Sequence, residues 1–69
     1  MEFKLINQEY IQLNNLLKTL SLVGTGGEAK IRILKGEVFV NGEECNVIRK
    51  KIFLGDVVEI GDMEILVIS

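Results

Sequence analysis
A chain of 69 residues makes one domain burying about 60% of the surface its unfolded form exposes, too little for a deep catalytic cleft. Apolar residues make up 48% and mean hydropathy is +0.31, yet no apolar run approaches the ~18 residues of a membrane-spanning helix. A net charge of −2 and a pI near 5.0 give no general attraction for phosphates, so any such attraction has to be local.

Glu2 to Ile6 alternates apolar and polar residues, which predicts a short strand. From about Gln8 the period lengthens. Tyr10, Leu13, Leu16, Leu17 and Leu20 then define one face of an amphipathic helix, with Asn14, Asn15 and Lys18 facing water and an end near Ser21 to Gly24. Thr25 with Glu28 three residues on has the form of a capping box, which starts a second helix near Gly26. Gly36 after the cationic Lys35 is suited to close it. A helix of about ten residues is marginal alone, so Ala29 and Ile33 are expected against Leu13, Leu16, Leu17 and Leu20.

Val38 and Val40 predict a strand, and Asn41-Gly42 a tight turn with positive φ at both positions. Glu43 to Arg49 reads as a short strand or an irregular return. Arg49, Lys50 and Lys51 follow as the one three-residue basic run, then a turn at Leu54, Gly55 and Asp56. Val57 to Ile60 and Met63 to Ile68 flank Gly61-Asp62 as a hairpin. The expectation is one α+β domain over residues 1–69: two short packed helices against a small, mostly antiparallel twisted sheet.

Much chemistry is excluded. There is no His, so neither a Ser-His-Asp arrangement nor a histidine metal site can be built. The lone Cys45 makes neither an internal disulfide nor a zinc site, and reads as an inert packing residue in a reducing compartment, the cytoplasm. Glu43, Glu44, Asp56 and Asp62 sit in or beside turns, where solvation explains them. Gly26 and Gly27 lack the GxxxxGK[ST] context of a nucleotide-binding loop. No enzyme, cofactor, metal or small-molecule substrate is expected.

Charge is unevenly spread. Residues 28–51 hold Lys30, Arg32, Lys35, Arg49, Lys50 and Lys51 against Glu28, Glu37, Glu43 and Glu44, a local net of +2, whereas residues 52–69 carry −4. Lys30 is the most telling cation. It lies one turn inside the second helix, where its stem can pack while its ammonium joins the N–H groups of Gly26 and Gly27 in holding a phosphate. A snorkelling surface lysine is the alternative.

The runs QLNNLLKTL, TGGEAK, KGEVFVNGEE, RKK and GDVVEI resemble the S-four-type RNA-binding domain, named for ribosomal small-subunit protein four. The similarity is greatest to its small stand-alone bacterial members of the YaaA and YbcJ kind, and spans roughly residues 11–60. The resemblance implies the same two-helix fold with its αL motif, and RNA contacts at Gln12, Thr25, Gly26, Gly27, Lys30, Asn41 and Gly42, flanked by Lys35, Arg49, Lys50 and Lys51. Many members carry arginine at the position of Gln12 and a Ser-Arg pair where this chain has Thr25-Gly26. The resemblance therefore implies a non-catalytic module for structured RNA, ribosomal RNA or a ribosomal particle, bound through backbone and shape. No aromatic set for stacking bases is expected, with Tyr10 on a helix face, Phe3 on a strand face, and Phe39 and Phe53 assigned to neither. The alternative is an adaptor docking a basic partner, such as a ribosomal or replication protein, through an acidic sheet face of Asp56, Glu59, Asp62 and Glu64.

Overall fold
The β-branched stretches VFV, VVEI and MEILVI become the centre of a sheet, each presenting every second side chain to the same side. The computed structural model describes Met1–Ser69. Along the chain the elements are β1 (Glu2–Lys4), β2 (Tyr10–Gln12), α1 (Leu13–Thr19), α2 (Gly26–Leu34), β3 (Val38–Val40), β4 (Glu43–Glu44), β5 (Lys51–Phe53), β6 (Val57–Ile60) and β7 (Met63–Ile68). Five strands pair in the order β1-β7-β6-β3-β4, antiparallel except for β1 beside β7, and β2 pairs with β5 in a separate ribbon. The expected α+β architecture is present.

Register divides the large sheet into two faces. Val38, Val40, Val58, Ile60, Ile65 and Val67 point inward and join Leu13, Leu16, Leu17, Ala29 and Ile33 of the helices in one core of 15 buried residues, all of them apolar. The outer face carries Glu44, Phe39, Glu59 and Glu64 in a row across four strands, with Val57, Leu66 and Glu2 in the next row.

The second helix forms where its termini predict. Thr25 is the N-cap, its Oγ1 accepting from the Glu28 amide at 3.1 Å. Glu28 reaches one residue further back than the usual box, accepting from the amide of Gly24 at 2.5 Å. At the other end Gly36 has φ +78°, and the amides of Gly36 and Glu37 bond the carbonyls of Ile33 and Arg32, the paired closure of a Schellman motif. A side chain at Gly36 would also strike the Glu44 carboxylate at 2.9 Å. Asn41 and Gly42 have φ of 52° and 84°, and Val40 faces Glu43 across the expected two-residue turn. Ile60 likewise faces Met63 across Gly61-Asp62.

The start of the first helix differs from its periodicity. It begins at Leu13, and Tyr10–Gln12 is a strand, because Ile11 lies opposite the fully buried Ile52 and Gln12 has an extended backbone. The first helical amides, of Leu13 and Asn14, bond the carbonyls of Lys50 and Ile48. Pairing with a distant segment thus outweighs the three- and four-residue spacing of Tyr10, Leu13 and Leu17. Asn14, expected in water, is half-buried, and its Oδ1 is shielded without a hydrogen-bond partner in the protein.

Candidate nucleic-acid interface
A glycine pair in the first turn of a right-handed helix weakens it, since glycine is ~1 kcal/mol worse than alanine in a helix interior. Neither glycine is needed for space. A Cβ at Gly26 would meet nothing within 4 Å, and one at Gly27 would come no nearer than 3.8 Å to Thr25 Oγ1. What the pair does is leave the N-terminal amides of α2 bare to a close approach from outside.

Lys30, one turn on, is exposed on the same side, and the loop at residues 48–50 completes the setting. The carbonyls of Ile48 and Lys50 are tied to the α1 amides at 3.1 and 2.8 Å, which pins Arg49 beside the start of both helices. Asn14, Gly26, Gly27, Lys30, Ile48 and Arg49 consequently line one open concavity. Lys30 and Arg49, the cations on it, have no ion-pair partner; the chain's single ion pair joins Arg32 to Glu37. The result is a concave cationic surface with free backbone donors, suited to an oxyanion on an extended backbone.

The other expected contacts are distributed differently. Gln12 and Lys51 face each other on the outer side of the β2–β5 ribbon. Lys50 lies in a separate hollow with Glu43 and Glu44. Lys35 caps the far end of α2, about 13 Å along the axis from Gly26 at ~1.5 Å per residue. Thr25 is committed to capping. Asn41 is committed as well: its Nδ2 donates to Asp56 Oδ1 at 3.0 Å and its Oδ1 accepts from the Val57 amide at 2.9 Å. Asp56 Oδ2 in turn accepts from the Phe53 amide at 2.8 Å, so the two turns are clasped together. The acidic set is divided too, with Asp56 inside this clasp and Asp62 in a turn, while Glu59 and Glu64 stand directly opposite on the outer sheet face. The Tyr10 and Phe53 rings, assigned to no common site from the sequence, lie 5.8 Å apart between centroids on the ribbon.

No helix is long and apolar enough to cross a membrane. The chain is similar, at 42% identity over 55 residues covering 80% of it and 78% of the relative, to "Probable ribosome maturation protein RlbA" of Bacillus subtilis (strain 168). Its fold is similar to the solution structure of YbcJ from E. coli, with a TM-score of 0.76 and 31% identity over 99% of this chain and 86% of that one. That structure is described as revealing an αL motif involved in RNA binding. The sequence pattern of the S4 domain matches residues 3–68, nearly the whole chain, and the protein belongs to the S4 domain family.

Proposed function
We propose that this domain is a non-catalytic module that binds structured RNA, with the concavity between the two helix N-termini holding the sugar-phosphate backbone. The observation that carries this reading is the convergence of bare Gly26 and Gly27 amides with unpaired Lys30 and Arg49 on one surface. The likeness to YbcJ, whose motif is described as involved in RNA binding, supports it. Gln12 and Lys51 lie on the adjoining β2–β5 ribbon, Lys50 and Lys35 lie off that surface, Thr25 caps the helix that forms it, and Asn41 and Gly42 hold a separate turn clasped to Asp56. With so few cations the domain gains little from electrostatics alone. Shape then matters more, so a folded ribosomal RNA junction or a ribosomal particle in the cytoplasm fits better than a plain hairpin; the likeness to a ribosome maturation protein supports that target.

Lys30→Ala and Arg49→Ala test the site. Both side chains are exposed, so each variant should keep its melting temperature within a few degrees while losing RNA affinity in a gel-shift titration. Full affinity in both variants would remove the concavity from the reading. Co-sedimentation with ribosomal particles against filter binding to a simple hairpin, at one salt concentration, tests the target.

A second reading is favoured by the outer sheet face. Glu59 lies directly opposite Glu64, a like-charge pairing that costs the fold stability. A basic protein docked there would relieve it. Glu59→Gln with Glu64→Gln should then raise stability and weaken association with ribosomal particles while leaving affinity for free RNA unchanged.

A further inference from the structure
The β2–β5 ribbon has only three residue pairs, and its two faces differ in kind. Inward, Ile11 and the fully buried Ile52 pair against the core. Outward, Tyr10 faces Phe53 and Gln12 faces Lys51. The rings are tilted at 51° with centroids 5.8 Å apart, and Lys51 Nζ stands 5.1 Å from the Tyr10 ring centroid. Phe53 nevertheless remains 45% exposed. Two aromatic rings and a cation on an open ribbon face form a stacking surface.

The rim of this surface is not built for phosphate. On the β2 side, Tyr10 borders a hollow lined also by Gln8, Glu9, Ile11, Gln12 and Asn15, which Phe53 and Lys51 do not reach. Its polar side chains are three amides and one carboxylate, groups that donate to and accept from the edge of a nucleobase. A carboxylate would repel a phosphate but can accept from a base amino or imino group. The phosphate-holding concavity adjoins it through both strands of the ribbon. Tyr10 is four residues from Asn14, and Phe53 four residues from Arg49, spans of at most about 14 Å between Cα atoms. One RNA strand can therefore occupy both surfaces.

We propose that the outer face of the β2–β5 ribbon is a binding site for an unpaired RNA base, stacked against the Tyr10–Phe53 pair and read at its edge by the Gln8, Gln12 and Asn15 amides. This rests on the RNA-binding reading and adds what that reading lacks, a preference for RNA with a base out of the helix, as in a bulge or loop. An aromatic pair serving only to steady the ribbon would require neither the exposed Phe53 surface nor the polar rim.

Tyr10 is the one tyrosine and the chain has no Trp, so its emission reports on this surface alone. The protein is titrated with a hairpin RNA containing a single-nucleotide bulge and with a fully paired RNA of equal length, at one salt concentration, following both tyrosine fluorescence and gel mobility. The bulged RNA should bind more tightly and quench Tyr10. Phe53→Leu should weaken its binding by roughly 5- to 150-fold, the range for loss of one stacked base, and leave the paired RNA unaffected; Phe53→Tyr should restore it. Equal mobility shifts by both RNAs without quenching would overturn the base site and leave RNA binding standing. Binding of neither RNA would overturn the RNA reading itself, and the base site with it. Should Phe53→Leu fail to fold, the wild-type quenching still decides.

Discussion

Gly26 separates stability from binding in one side chain. A methyl group there meets open space and no positive φ is required, so Gly26→Ala should stabilise the fold by up to about 1 kcal/mol in chemical denaturation. The same methyl adds bulk beside the amides that the proposed site offers to a phosphate, so RNA affinity should fall. Gains in both would show that the glycine has no part in binding. Asn41 behaves in the opposite sense. Both polar atoms of its side chain are used within the protein, so Asn41→Ala should lower stability by about 1–3 kcal/mol, two net hydrogen bonds. Gly42 at φ +84° cannot take a β-branched side chain without strain of about 1–2 kcal/mol, and Gly42→Val should lower the melting temperature accordingly.

At the level of elements, α2 depends on its ends. Thr25→Ala removes the hydroxyl that accepts from Glu28 and should cost about 0.5–2 kcal/mol in denaturant unfolding, with Thr25→Ser recovering most of it. These ends were readable in the sequence because capping and turn residues act on their immediate neighbours: Thr25, Gly36, Asn41-Gly42 and Gly61-Asp62 all stand where their local chemistry places them. The start of α1 was not readable, since Tyr10 and Leu13 share a helical spacing and only Ile52, far along the chain, draws Ile11 into a strand. The same limit applies to the site. Lys30 stands out by its place in α2, but its meeting with Arg49 depends on hydrogen bonds between the 48–50 loop and α1. The pairing of Tyr10 with Phe53 follows from a ribbon that no periodicity announces.

Across the whole molecule, charge is divided between surfaces: Lys30 and Arg49 on the concavity, Glu44, Glu59 and Glu64 in a row on the sheet face that no helix covers. With two or three phosphates held by Lys30, Arg49 and Lys51, as the proposed site has it, the logarithm of affinity should fall with the logarithm of salt with a slope of only about −1.5 to −3. A much steeper slope, read from filter binding over a salt series, would mean that further cations take part. The parallel pairing of β1 with β7 has a different consequence. The Met1 ammonium donates to the Glu64 carbonyl at 2.6 Å, the Met1 carbonyl accepts from the Leu66 amide at 2.9 Å, and the Leu5 amide donates to the Ile68 carbonyl at 2.8 Å. These few residues cover the side of a strand that reads Ile-Leu-Val-Ile from 65 to 68, without charge or proline. Such an uncovered border is a template for the addition of strands from other molecules. Removing residues 1–4 should therefore turn a folding unit into a self-associating one, seen as larger species in sedimentation than the full chain forms at the same concentration. A shortened chain that sediments like the full one would show that β7 needs no such guard.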